Sequence, residues 1–92
     1  MEEKNMEKLT LSDGTILENS YAIEIADSNS LIVYANNHYQ LGFVFDLLYD
    51  SEKTQEIVYT DIQGNRQTFT GYNRLKSITD EGEGRITAVL KK

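Results

Sequence analysis

Apolar residues recur along this chain with two different periods, and the change from one to the other marks its elements. The first eight residues, MEEKNMEK, are polar and unpatterned and read as a disordered N-terminal tail, 1–8, ahead of a single domain, 9–92. Leu9 and Leu11 then alternate around Thr10. Ser12-Asp13-Gly14 supplies a turn, and Ile16-Leu17 leads a short return strand. Tyr21, Ile23 and Ile25 share one face of the next strand, with Ala22, Glu24 and Ala26 on the other. The cluster Asp27-Ser28-Asn29-Ser30 turns the chain into Leu31-Ile32-Val33-Tyr34, so that 21–26 pairs with 31–35 as a hairpin.

The period changes at LGFVFDLLY. Leu41, Val44, Phe45 and Leu48 fall at i, i+3, i+4 and i+7, which predicts a helix near 39–50 with Asp46 and Asp50 on its wet side. Asn37 and Gln40 form a variant capping box at its start. Gly42 costs about 1 kcal/mol relative to Ala there, and close packing of helix on sheet is one reason for it. Beyond the helix, alternation returns. Ile57 and Tyr59 face opposite to Val58, and Gly64-Asn65 turns the chain into Arg66–Thr70. Gly71 bends or bulges the chain before Tyr72, and Leu75–Thr79 forms a strand. Asp80–Gly84 reads as an acidic turn, after which Ile86, Ala88 and Leu90 alternate inward. Seven or eight short strands and one helix predict an α+β fold, a mostly antiparallel sheet with the helix packed on it. A β-grasp-like fold and a small barrel plugged by the helix are the alternatives. The chain contains no proline, so strand edges must be covered, short, charged or paired with another chain.

Composition narrows the function classes. Ninety-two residues hold one core, and 39% hydrophobic with 26% charged residues is a globular composition. With no cysteine, disulfides, thiolate metal sites and cysteine nucleophiles drop out. No apolar run reaches the ~20 residues of a membrane-spanning helix, and the acidic start does not have the form of a signal peptide. The net charge of -6 argues against nucleic acid as partner. Residues 1–50 carry nine acids and two bases, residues 51–92 six acids and seven bases. The uneven charge permits a basic patch from Arg66, Arg74, Lys76, Arg85, Lys91 and Lys92 and favours head-to-tail self-association.

Candidate chemistry is sparse. His38, the only histidine, stands in a polar stretch without a marked nucleophile or orienting partner and reads as a solvated loop residue. Asp46 and Asp50 stand one helical turn apart, a spacing that could clamp a hard cation, but both fall on the polar face and read as wet helix surface. The acids of 80–84 and the Asp27 turn depart from calcium-loop spacing. No phosphate-cradling glycine motif occurs, so no catalytic, cofactor or metal residue is assigned and no small-molecule substrate is expected. Of the nine aromatic residues, Tyr21, Phe43, Phe45 and Phe69 read as core. Tyr34, Tyr49, Tyr59 and Tyr72 are the candidate protein-interface positions, since tyrosine is enriched at interfaces.

The segments LTLSDGT (9–15), FVFDLLYDSEKTQEI (43–57), GYNRLKSIT (71–79) and GRITAVLKK (84–92) resemble small uncharacterised proteins of bacteriophages and prophages of Gram-positive bacteria. In those proteins an LTLSDGT-like start, a helix of the VF-x-LF type, a GYT-x-L-x-SI segment and an ITA-x-L-x-K ending recur. Here Asn73 stands where that pattern has Thr. The resemblance implies a non-enzymatic structural or accessory role among virion or tail-region proteins, in the bacterial cytoplasm or the virion. Its partners would be copies of itself or another phage protein. A monomeric cytoplasmic regulator or inhibitor presenting an acidic surface is the alternative.

Overall fold

The computed structural model describes residues 7–36 and 38–92. Its eight strands are β1 (Lys8–Thr10), β2 (Ile16–Glu18), β3 (Tyr21–Ile25), β4 (Ser30–Asn36), β5 (Glu56–Thr60), β6 (Arg66–Thr70), β7 (Arg74–Gly82) and β8 (Arg85–Lys91). One helix, α1 (Leu41–Tyr49), lies between β4 and β5. The α+β class is the one expected. The strands divide into two antiparallel four-stranded sheets, a first in the order β2-β1-β5-β6 and a second in the order β3-β4-β8-β7. Neither closes into a barrel. Most of the reading of residues 1–8 as a tail falls outside the described residues, but Glu7 is placed and Lys8 already belongs to β1.

Local chemistry explains the turns. Two hairpins of the first sheet close alike: the Leu11 and Asp61 N–H groups donate to the Thr15 and Asn65 carbonyls, and Gly14 and Gly64 donate back to Leu11 and Asp61. This is the three-residue loop in which a left-handed residue follows the turn, and glycine stands there, at φ 91° and 89°. Aspartates tighten both. Asp13 Oδ1 accepts from the Thr15 N–H at 3.0 Å, and Asp61 Oδ1 accepts from Gln63 and Asn65 at 2.9 Å each. The predicted Asp27 turn is a short 3-10 turn, Ala26–Ser28, ended by left-handed Asn29. The acidic turn at 80–84 is shorter than expected, because β7 continues to Gly82 and only Glu83-Gly84 make the loop. Both have positive φ, 57° and 76°, the type I′ geometry that matches strand twist.

The core lies between the layers. β1, β2 and β5 of the first sheet lie against β3 and β4, while α1 lies against β7 and β8, so sheet and helix together cover the inner face of the second sheet. Leu9, Leu17, Ile57 and Phe69 from the first sheet join Leu31, Val33, Ile86 and Leu90 from the second and Val44, Leu47 and Leu48 from the helix. Gly71, at φ 84°, is where the chain leaves the first sheet, and it delivers Tyr72 into this core.

The buried stripe of α1 is rotated from the one the sequence pattern picks out. Val44, Leu47 and Leu48 are inside, whereas Leu41, Phe43 and Phe45 are exposed. The helix is apolar over more of its circumference than the sheet beneath can cover. Asn37 of the expected capping box lies outside the described residues. Gln40 is the N-cap and makes no side-chain capping bond. Gly42 is exposed, and a Cβ there would meet nothing within 4 Å, so close packing is not the reason for it.

Candidate interaction surface

The outer face of the second sheet follows from strand alternation. β3 turns Ala22 inward; β4 turns Leu31, Val33 and Ala35 inward; β8 turns Ile86, Ala88 and Leu90 inward. The opposite parity therefore faces outward, and the pairing aligns it in rows: Tyr21–Tyr34–Thr87–Thr79, then Ile23–Ile32–Val89–Ser77. Tyr21 and Tyr34 stack with centroids 4.6 Å apart. Ile23 is 46% and Ile25 41% exposed. Apolar side chains thus occupy the β3 side of a face that, among the described residues, no other element covers.

A second apolar surface runs along α1. Leu41, Phe45 and Tyr49 stand at i, i+4 and i+8, one row on the helix, with the Phe45 and Tyr49 rings stacked at 5.3 Å. Phe43 stacks on Tyr39 at 5.7 Å and is 46% exposed. The Tyr39 hydroxyl accepts from the Glu18 N–H at 2.7 Å, which ties the segment before the helix to β2.

The four tyrosines expected at an interface have different fates. Tyr49 is 68% exposed on the helix, and half-buried Tyr34 belongs to the outer face of the second sheet. Tyr59 is half-buried on the inner side of the first sheet, its hydroxyl donating to Glu7 at 2.6 Å. That bond to a carboxylate, helped by burial, pushes the phenol up to about 12. Tyr72 is corrected outright: it is 1% exposed, a member of the core, and its hydroxyl donates to Glu24 at 2.5 Å. Burial first, then the Glu24 carboxylate, pushes it up to about 12. The expected core aromatics are corrected in turn. Only Phe69 is buried, Tyr21 is half-buried, and Phe43 and Phe45 are exposed.

Open clefts lie over both sheets. One, of about 370 Å3, lies among Tyr21, Tyr34, Asn36, Glu81, Arg85 and Thr87. The other, of about 430 Å3, lies over the first sheet among Lys8, Thr10, Thr60 and Arg66. Neither sets a titratable base against a nucleophile. His38 belongs to neither; its N–H donates to the Gly84 carbonyl at 3.1 Å and its ring lies over Gly84, in left-handed backbone at φ 61°. Asp46 is exposed, while Asp50 accepts from the Glu52 N–H and closes the turn after the helix. Among the described residues no three His, Asp or Glu side chains gather to hold a metal. The six basic residues do not form one patch, since Arg66 stands in the first sheet and Lys91 is drawn to Ser28 and Ser30.

The exposed row on α1 and the isoleucines of β3 were not singled out as a surface by sequence reasoning. The available signal was small residues: Ala22 and Ala88 flank Val33 in one row, and Ala35 lies next to Ile86. Alanines on one parity mark the side on which another layer approaches closely, and leave the larger residues outside. Among the described residues no helix is long and apolar enough to cross a membrane. Comparison with models of protein families, with curated proteins and with solved structures finds no match.

Proposed function

We propose that this chain is a non-catalytic structural or accessory protein of phage or prophage origin, working through protein–protein contacts and foremost by assembling with its own copies. The observation that carries this reading is the apolar outer face of the second sheet, where Tyr21, Ile23, Ile25, Ile32, Tyr34 and Val89 stand together with no covering layer among the described residues. Contiguous exposed apolar side chains mark contact surfaces on soluble domains. The aromatic row of α1 supports the same reading and gives a second surface, for a neighbour of another kind. The resemblance of 9–15, 43–57, 71–79 and 84–92 to phage and prophage proteins supplies the setting, the virion or its tail region.

Size exclusion with light scattering and native mass spectrometry, from micromolar to millimolar protein, test the reading. Concentration-dependent oligomers are expected. A strict monomer throughout overturns self-assembly and returns the chain to the alternative of a monomeric regulator.

A further inference from the structure

Among the described residues, four strands end the two sheets: β2 and β6 in the first, β3 and β7 in the second. Each edge presents unpaired backbone groups that can template another strand unless something blocks them. β2 is only three residues long. β6 offers Arg66, Gln67, Thr68 and Thr70 around a single inward Phe69, leaving no apolar side chain to bury. β7 carries two register shifts, at Leu75/Ser77 and Asp80/Gly82, together with Arg74, Lys76, Asp80 and Glu81. Bulges and charges of that kind twist and guard an edge. β3 has no bulge: it pairs with β4 through five consecutive residues without a shift. Its single charge, Glu24, stands on the inner parity and accepts from the Tyr72 hydroxyl, so its outer parity, Tyr21, Ile23 and Ile25, carries no charge.

The sequence of β3, Tyr-Ala-Ile-Glu-Ile, is also self-complementary in one register. Centred on Ile23, an antiparallel copy sets Ile23 against the partner's Ile23, Tyr21 against the partner's Ile25, and Ala22 against the partner's Glu24. All five residues pair, and apolar meets apolar on the outer face. Centring on Glu24 instead opposes two carboxylates, and centring on Ala22 leaves Ile25 without a partner. The row Val89–Ile32–Ile23 would then continue into the same three residues of the partner, a band of six aliphatic side chains across the outer face.

We propose that β3 is a homodimerisation edge, pairing antiparallel with the β3 of a second copy about a two-fold axis at Ile23 and joining two four-stranded sheets into one of eight strands. The inference names the surface behind the self-assembly reading above and rests on it.

The chain has no cysteine, so single substitutions report contacts cleanly. Under mild oxidation of folded protein, Ile23→Cys is expected to give a disulfide-linked dimer. Ile16→Cys and Ile62→Cys, at exposed apolar positions in β2 and in the turn between β5 and β6, are expected to stay monomeric. An equimolar mixture of Tyr21→Cys and Ile25→Cys chains is expected to cross-link as well, which covers the case in which a cysteine at 23 impairs folding, checked by circular dichroism. Ile23→Lys, setting like charges face to face, is expected to weaken association in sedimentation by roughly tenfold or more. If wild type oligomerises but neither cysteine experiment cross-links, β3 is not the interface and self-assembly stands through another surface. If wild type is monomeric at every concentration and neither cross-links, both readings fail.

Discussion

The two edges of the second sheet are made of opposite materials. β7 is nine residues long, twice bulged, and carries basic residues at its start and acidic ones at its end. β3 is five residues long, regular, and carries isoleucine, tyrosine and alanine around one engaged glutamate. Among the described residues, bulges and several charges guard one edge, while the other is regular and carries a single carboxylate. The same sheet also differs beneath its edges: the helix covers the β7 side of the inner face, and the first sheet covers the β3 side. An edge is therefore open or closed by its own residues, not by the layer below it.

The largest perturbation of this contrast removes what both edges share. Tyr72 enters the core just before β7, and its hydroxyl holds Glu24 of β3. Tyr72→Ala is expected to cost about 3–5 kcal/mol in chemical denaturation, the range for deleting a buried aromatic ring. Tyr72→Phe is expected to cost about 0.5–1.5 kcal/mol, the net worth of a hydrogen bond whose exposed carboxylate water can serve instead.

Alkali acts on the same link. Tyr59 and Tyr72 have their phenol pKa raised from the ordinary 10.0 to about 12. The folded state therefore holds these protons where the unfolded chain has lost them. Their contribution is complete below pH 10 and is lost as pH rises toward 12. Thermal melts at stepped alkaline pH are expected to show a fall in Tm over that window. The fall should be smaller in Tyr59→Phe and in Tyr72→Phe, with tyrosinate absorbance rising late in the folded protein.

At the far end of β7, Gly84 combines a left-handed backbone with close approach to His38. A Cβ there would stand 2.7 Å from the His38 Cα, so Gly84→Ala is expected to destabilise by about 1–3 kcal/mol. Gly42 is the counter-case on the helix that covers this side. With open space around it and no positive φ, Gly42→Ala is expected to raise stability by about 1 kcal/mol, measured by denaturant midpoint.

The smallest expected change in stability sharpens the contrast most. Leu75 pairs with Leu90 and Ser77 with Val89, which leaves Lys76 as the extra residue of a bulge. Deleting Lys76 is expected to regularise that end of β7 with little change in the denaturation midpoint. It should also increase concentration-dependent association in light scattering, because the edge loses a bulge and a lysine together.

Much of the fold is legible because turn chemistry and alternation are local. Asp13-Gly14, Asn29 and Gly64 each satisfy a backbone need within a few residues, and Ile86-Ala88-Leu90 leaves one parity to face the core. The hairpin of 21–26 with 31–35 follows from the same rules and is found as Tyr21 opposite Tyr34 through Ile25 opposite Ser30. The candidate surface was less legible. Tyr49 and Tyr34 were among the residues picked for it, but Tyr72 was placed outside and Phe43 and Phe45 inside. A tyrosine carries both an apolar ring and a polar tip, and nothing near it in sequence says whether a Glu24 forty-eight residues away will accept from that tip.

By itself, then, the chain order of polar and apolar residues determined where strands, turns and the one helix lie, because those depend on neighbours within about one turn or one hairpin. Only the tertiary structure decided which parity of β3 meets the core, which stripe of α1 is covered and which edge is left regular. Those outcomes depend on the shape of the opposing layer: alanines 22, 35 and 88 accept close packing inside, and the larger Tyr21, Ile23 and Ile25 are left to face outward.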